Sequence, residues 1–328
     1  MTSKKTVAAM LILMLVVVPA FLYWLNASYW FGVAGTMMVF AILAVSANLI
    51  TGTTGLLSLG HAGFYGIGAY TAAMTATAWH WPFYLTIPAA GLAAAGVGIL
   101  LALPIMRLVG IYFAVATLAV GEIIHVTLLN WVDFTHGPMG ISGIPGIALA
   151  GVFKSGNLAN YFAGAGLLIA TVFAVHRLTH SYYGNALRSL REDDQCAQAM
   201  GLKVVRIKTE AFAFSCFFAG VAGALWAHTT QYISPGDFRF SESILILAMV
   251  VVGGLGSIPG ALIGALLLVG LPEVLRPFGD YRMIGVGLVM FLCILFLPRG
   301  ICGEVSAMAL ARKHLNAAWK PSQQLGWR

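Results

Sequence analysis

The chain alternates between long apolar runs and short polar or glycine-rich breaks. Ten runs stand out, at residues 6–25, 29–50, 61–79, 83–104, 108–130, 161–178, 210–230, 244–253, 261–275 and 283–297. Most are near the ~20 residues that carry a helix across a ~30 Å hydrocarbon core. The pattern predicts an all-α polytopic membrane protein of about ten transmembrane helices, organised as one transmembrane unit over residues 1–328. The first run could be a signal peptide. It exceeds the usual ~7–15-residue apolar core, and no small-x-small cleavage site follows, so it reads as a retained helix. Five runs precede residue 161 and five follow from there. A unit with an odd number of crossings, repeated in tandem, must insert upside down the second time, so the layout permits a 5+5 inverted repeat.

The pattern breaks at residues 179–209. This stretch holds Arg188, Arg191, Lys203, Arg206 and Lys208 with the acids Glu192, Asp193 and Asp194. Within it, residues 185–200 carry Ala186, Leu187, Leu190, Ala197 and Met200 at helix-like spacing, and Gly201 is a fitting stop. One reading is a solvated loop helix. The other is an amphipathic rod, tied to spans at both ends, that docks on a soluble partner and carries rigid-body motion into the membrane.

Composition supports the membrane assignment. The chain is 60% hydrophobic and 9% charged, where a soluble domain has about 25% charged residues. Its 38 glycines suit closely packed membrane helices. The net charge of +7 reflects sidedness rather than nucleic-acid binding. With the N-terminus inside and ten crossings, only Lys154, Arg239, Arg276 and Arg282 of the 18 basic residues fall outside. The excess of Lys and Arg inside places loop 179–209, both termini and a basic tail over 298–328 in the cytoplasm.

Chemistry-bearing residues are sparse. No Gly-Lys pair occurs, which excludes a P-loop, and neither H-E-x-x-H nor G-x-S-x-G is present. Cys196, Cys216, Cys293 and Cys302 are scattered without metal or disulfide spacing. No residue reads as catalytic and none as a metal ligand. Glu122 is the one acid well inside a run, and His125 shares its helical face. A charge at the bilayer centre costs roughly 2.5–3.5 kcal/mol, so Glu122 should face protein or water. It could line a pathway, join a proton relay, or hydrogen-bond between helices, with His125 as a partner. The glycine-rich entry at 51–60 reads either as a turn capping a packed helix or as irregular backbone against a cavity. Ser58, His61 and Tyr65 are pathway candidates there with Glu122, and His61 reads equally as a packed or capping histidine.

D-Q-C-A-Q-A-M-G at 194–201 resembles the cytoplasmic "EAA" loop of ABC importer permeases, with a looser fit at Gln195 and Cys196. G-L-L-S-L-G-H-A-G-F-Y-G-I-G-A-Y at 55–70 resembles the branched-chain amino acid permeases, in particular their M-type subunit. The segments at 111–124, 251–265 and 297–303 (L-P-R-G-I-C-G) resemble the same family in the same order, over about residues 29–303. The resemblance implies a bacterial inner-membrane subunit paired with a second, H-type permease. It also implies two ATPase subunits that bind ATP and Mg, a periplasmic binding protein, and no cofactor on this chain. Glu192, Asp193, Asp194 and Gly201 would then couple the permease to the ATPases. Related permeases carry urea, short amides or other amino acids. The readings outside the family are an ion-coupled secondary transporter and a membrane scaffold.

Overall fold

In the computed structural model of the chain, residues 28–108, 110–147, 156–279, 281–296 and 300–302 are described. The predicted run 6–25 and nearly all of the basic tail lie outside them. The second run forms α1 (Ser28–Asn48), extended by a wider π-helical turn, Leu49–Thr53. There follow α2 (His61–Ala78), α3 (Phe83–Ile105) and α4 (Ile111–Asn130). Next come α5 (Asn157–Thr179), the short α6 (Tyr182–Glu192) and α7 (Asp194–Ala199), and the long α8 (Val204–Thr230). Then come α9 (Phe240–Gly253), α10 (Ile258–Val274) and α11 (Tyr281–Phe296). Five segments are long and apolar enough to cross a membrane by length and composition: Tyr29–Thr53, Phe83–Ile105, Ile111–Asn130, Leu158–Thr179 and Val204–Thr230. The architecture is an all-α membrane protein.

Among the described residues, the core forms where α8 runs along α3, α2 and α1. Small residues make this possible. A Cβ on Gly68 of α2 would enter the backbone of Gly220 on α8, and one on Gly220 would meet the Ala90 carbonyl of α3. Without side chains between them, the backbones approach and gain dispersion contacts, the main source of helix association in lipid. This explains why α2 carries so many Gly, Ala and Thr residues. It is buried by its neighbours and needs little lipid-compatible surface. Gly66 faces Phe238 and Leu128, with 3.0 Å and 3.2 Å available to a Cβ. Gly66→Leu should therefore lower the assembled yield by several-fold, measured by size-exclusion chromatography in detergent, while an unchanged yield would place this face against lipid.

The breaks between helices fall into two groups. At one end, Asn48 Oδ1 accepts from Gly256 N at 2.9 Å and Arg191 Nη1 donates to Gly52 O at 2.8 Å. Ile301 N and Cys302 N donate to Val252 O and Gly253 O. At the other end, Ile141–Ser142 pairs antiparallel with Tyr232–Ile233, Ile141 opposite Ile233. His228 there donates from Nδ1 to Pro145 O at 2.8 Å, and its Nε2 contacts Thr86 Oγ1 at 2.9 Å. Alternating crossings require this grouping. The entry at residues 54–60 is irregular, with Thr54, Leu56, Ser58 and Gly60 buried, so its backbone is covered by protein rather than lipid.

Two expectations need correction. Residues 185–200 are not one helix: the chain turns extended at Asp193 (φ −157°, ψ 116°), splitting it into α6 and α7. The polar stretch also ends before Thr209, because α8 begins at Val204. The break follows from Asp193 itself, whose side chain captures backbone donors instead of letting the helix continue.

Candidate functional site

The polar stretch folds as a bent pair of short helices strapped to the bundle. Ser181 caps α6 by accepting from Gly184 N. Leu187 and Leu190 on α6 and Ala197 on α7 are buried, which turns the charged positions outward. Tyr183 Oη donates to Ile207 O at 2.7 Å, fastening α6 to the start of α8. Arg191 reaches the π-helical turn through Gly52 O, and its stem packs against Gly55, which has φ +74°.

Asp193 is the N-cap of α7. Its Oδ1 accepts from Gln195 N at 2.7 Å and Cys196 N at 3.0 Å. These two amides hold its carboxyl below the usual carboxylate range. The cap's contribution is full above the ordinary carboxylate pKa and is lost as pH falls through the lowered value. Protection of the Gln195 and Cys196 amides against hydrogen exchange, relative to their intrinsic rates at each pH, should therefore fall only in acid, and Asp193→Asn, which keeps an acceptor, should abolish that pH dependence.

Asp194, in the first turn of α7, forms an ion pair with Lys208 on α8, whose side chain is 4% exposed against 30% for Asp194. The pair ties α7 to the base of the central helix. Gly201 ends the segment at φ +87°. Its N–H donates to Gln198 O at 2.9 Å while Leu202 N donates to Ala197 O at 3.1 Å, a left-handed helix terminus that suits glycine.

Of the four residues read as coupling groups, Asp193, Asp194 and Gly201 thus shape and anchor the bent pair, and Glu192 is exposed. The outward surface adds Tyr182, 95% exposed, and Met200, 84% exposed. Spacing placed Met200 on the apolar, buried side of a single helix. The bend at Asp193 turns it outward, which sequence periodicity could not show. Lys208 and Arg191 were also missed as anchors, because their partners lie 14 and 139 residues away.

The four pathway candidates do not form one cluster of bonded groups. His61 and Tyr65 are each 2% exposed and Ser58 is 7%. His61 Nε2 lies 2.8 Å from Ser46 Oγ, and Ser46 O accepts from Ser215 Oγ at 2.6 Å, joining α1, α2 and α8. His61 is therefore a bonded packing histidine. Tyr65 meets Phe238 edge-on at 5.0 Å. Ser58 Oγ is buried without a partner. Glu122 is half-buried on α4. The bond that His125 could have supplied is not made: His125 Nδ1 is buried without a partner. Among the described residues no three His, Cys, Asp or Glu side chains group as metal ligands.

The family described as "Branched-chain amino acid transport system / permease component" matches residues 29–297. The chain belongs to this permease family. It is 37% identical over 292 residues to the high-affinity branched-chain amino acid transport system permease protein LivM of Escherichia coli, covering 82% of this chain and 69% of that one. It is 26% identical over 292 residues to LivH of Escherichia coli, covering 81% and 91%. A probable LivM of Methanocaldococcus jannaschii is 26% identical over 227 residues, covering 63% and 64%. No solved structure gives a significant match. As a permease, the chain is a multi-pass membrane protein, consistent with its apolar helices.

Proposed function

We propose that this chain is the M-type membrane subunit of an ABC importer for branched-chain amino acids. A second, H-type permease stands beside it in the inner membrane, two ATPase subunits bind ATP and Mg beneath it, and a periplasmic protein delivers the substrate. The chain crosses the bilayer about ten times with both termini cytoplasmic, and its halves permit an inverted repeat. The bent α6–α7 pair is the mechanical input. The observation that carries this reading is its construction: it is anchored to α8 by Asp194–Lys208 and Tyr183–Ile207, and to the end of α1 by Arg191–Gly52. ATP-driven closure of the ATPase dimer moves the exposed Tyr182, Glu192 and Met200 surface, and the anchors pass that displacement to the two central helices.

Ser58, His61, Tyr65 and Glu122 remain the pathway candidates. The contacts of His61 and Tyr65 favour a part in joining helices, Ser58 is enclosed with its hydroxyl unpartnered, and Glu122 is the group best placed toward a second subunit or water. The largely small and apolar interior suits an aliphatic side chain. Urea or short amides would call for more polar lining.

The test is uptake of radiolabelled leucine in cells carrying this chain with its sister permease and binding protein. Accumulation should require co-expressed ATPase subunits and be competed by isoleucine and valine but not by urea. Accumulation that follows an ion gradient and ignores the ATPases would overturn the reading.

A further inference from the structure

Two depressions meet on the outer side of α3 and α8. The first, about 810 Å³, lies where Arg107 after α3 faces Lys203, Arg206 and Lys208 at the start of α8. The second, about 350 Å³, is lined by Ala95, Ile99, Ala213, Phe214 and Phe217. Thr209 and Glu210 border both, so the two are continuous: a basic basin opening into an apolar furrow.

The basin carries uncompensated positive charge. Lys208 is paired with Asp194, and Arg206 with Glu210 at 2.7 Å. Among the described residues the Arg107 guanidinium and the Lys203 ammonium have neither a hydrogen bond nor an ion pair, and both residues are exposed. The furrow then runs away from these cations along α3. From residue 107 back to 95 is twelve residues, a helical rise of roughly 18 Å. One leaflet of a ~30 Å hydrocarbon core is about 15 Å deep. Cations at the mouth, and an aliphatic and aromatic groove one leaflet long, match an amphiphile with an anionic head.

We propose that this basin and furrow bind an anionic phospholipid of the cytoplasmic leaflet, its phosphate between Arg107 and Lys203 and an acyl chain between α3 and α8. The leaflet assignment rests on the orientation given under Proposed function. Basic recesses at helix ends are suited to such headgroups, because each Lys or Arg near the surface strengthens the attraction. The lipid would touch Lys203 and the Asp194–Lys208 anchor's surroundings, at the junction of α7 and α8. Its presence would therefore stiffen the segment through which ATPase motion enters.

The assembled importer, purified in detergent, provides the test. Its unfolding temperature is followed while titrating phosphatidylglycerol, phosphatidylcholine with identical chains, or glycerol 3-phosphate. Phosphatidylglycerol should stabilise at roughly tenfold lower concentration than phosphatidylcholine, and glycerol 3-phosphate should not substitute. Arg107→Gln with Lys203→Gln should remove that preference while leaving the phosphatidylcholine response. Ala95→Phe, which fills the furrow, should weaken both lipids. Equal action of the two lipids, a preference that survives the double substitution, or full effect of glycerol 3-phosphate would overturn the proposal. So would the loss of every lipid effect on assembly, which would mean that a protein surface covers the furrow. Labelling of a Lys203→Cys variant from outside intact cells would instead reverse the leaflet and orientation while leaving the lipid preference intact.

Discussion

Asp194→Lys is expected to uncouple ATP hydrolysis from transport, and Lys208→Asp in the same chain is expected to restore it. The first change places two cations together where Lys208 is nearly enclosed. Removing one partner of a buried ion pair costs about 3 kcal/mol or more, because the remaining charge is left without compensation. Asp194 retains 30% exposure, which puts the cost toward the lower end of that range. The loss falls on the join between α7 and α8 and not on the helix crossings, so the bundle should still assemble. ATPase activity measured alongside leucine uptake in proteoliposomes reads the effect. Uptake should fall at least tenfold while hydrolysis persists, and the charge-swapped pair should recover most of it. If Asp194 instead served by contacting an ATPase subunit directly, the swap would rescue nothing. Preserved coupling in Asp194→Lys alone would remove α7 from the transmission path.

Gly220→Leu should abolish accumulation of the protein. A Cβ at this position would lie 2.6 Å from the Ala90 carbonyl oxygen and 2.7 Å from the Ala94 Cβ, so α3 and α8 would have to separate. Overpacking a tight core typically costs about 1–3 kcal/mol, and more where backbone must move. Gly96→Leu on α3 is the control, since nothing lies within 4 Å of a Cβ there. Fluorescence-detected size exclusion should show the first variant lost and the second retained. Equal behaviour of the two would mean that the α3–α8 crossing is not where the bundle is held.

How far the sequence foretold this architecture depends on the distance over which each feature is decided. Apolar run length is local, so most of the apolar runs within the described residues appear as helices within a few positions of their expected bounds, five of them long and apolar enough to cross a membrane. α4 begins at Ile111, one turn later than the run at 108, after Gly110 at φ +61°. The glycine content announced closely packed helices, but not that Gly68 on α2 would meet Gly220 on α8. The candidate site was less legible. An acid three residues before a histidine on one helix face suggested a Glu122–His125 bond that the structure does not make. The acids at 192–194 looked alike in sequence. Their separate fates as a surface group, a cap and the ion-pair partner of an enclosed lysine were set by a backbone turn and by Lys208 on the next helix. Periodicity assumes one continuous helix, and Asp193 interrupts it, which is why Met200 was assigned to the wrong face.

The coupling of ATP hydrolysis to transport depends on the α6–α7 pair meeting the ATPases at the cytoplasmic surface. Cys196 is exposed on α7, and with the other three cysteines replaced it reports on that surface directly. In inside-out vesicles a membrane-impermeant maleimide should label Cys196 readily in the absence of the ATPase subunits and several-fold more slowly once they are bound. Labelling of Cys196 from the outside of intact cells, with no protection by the ATPases, would contradict the account.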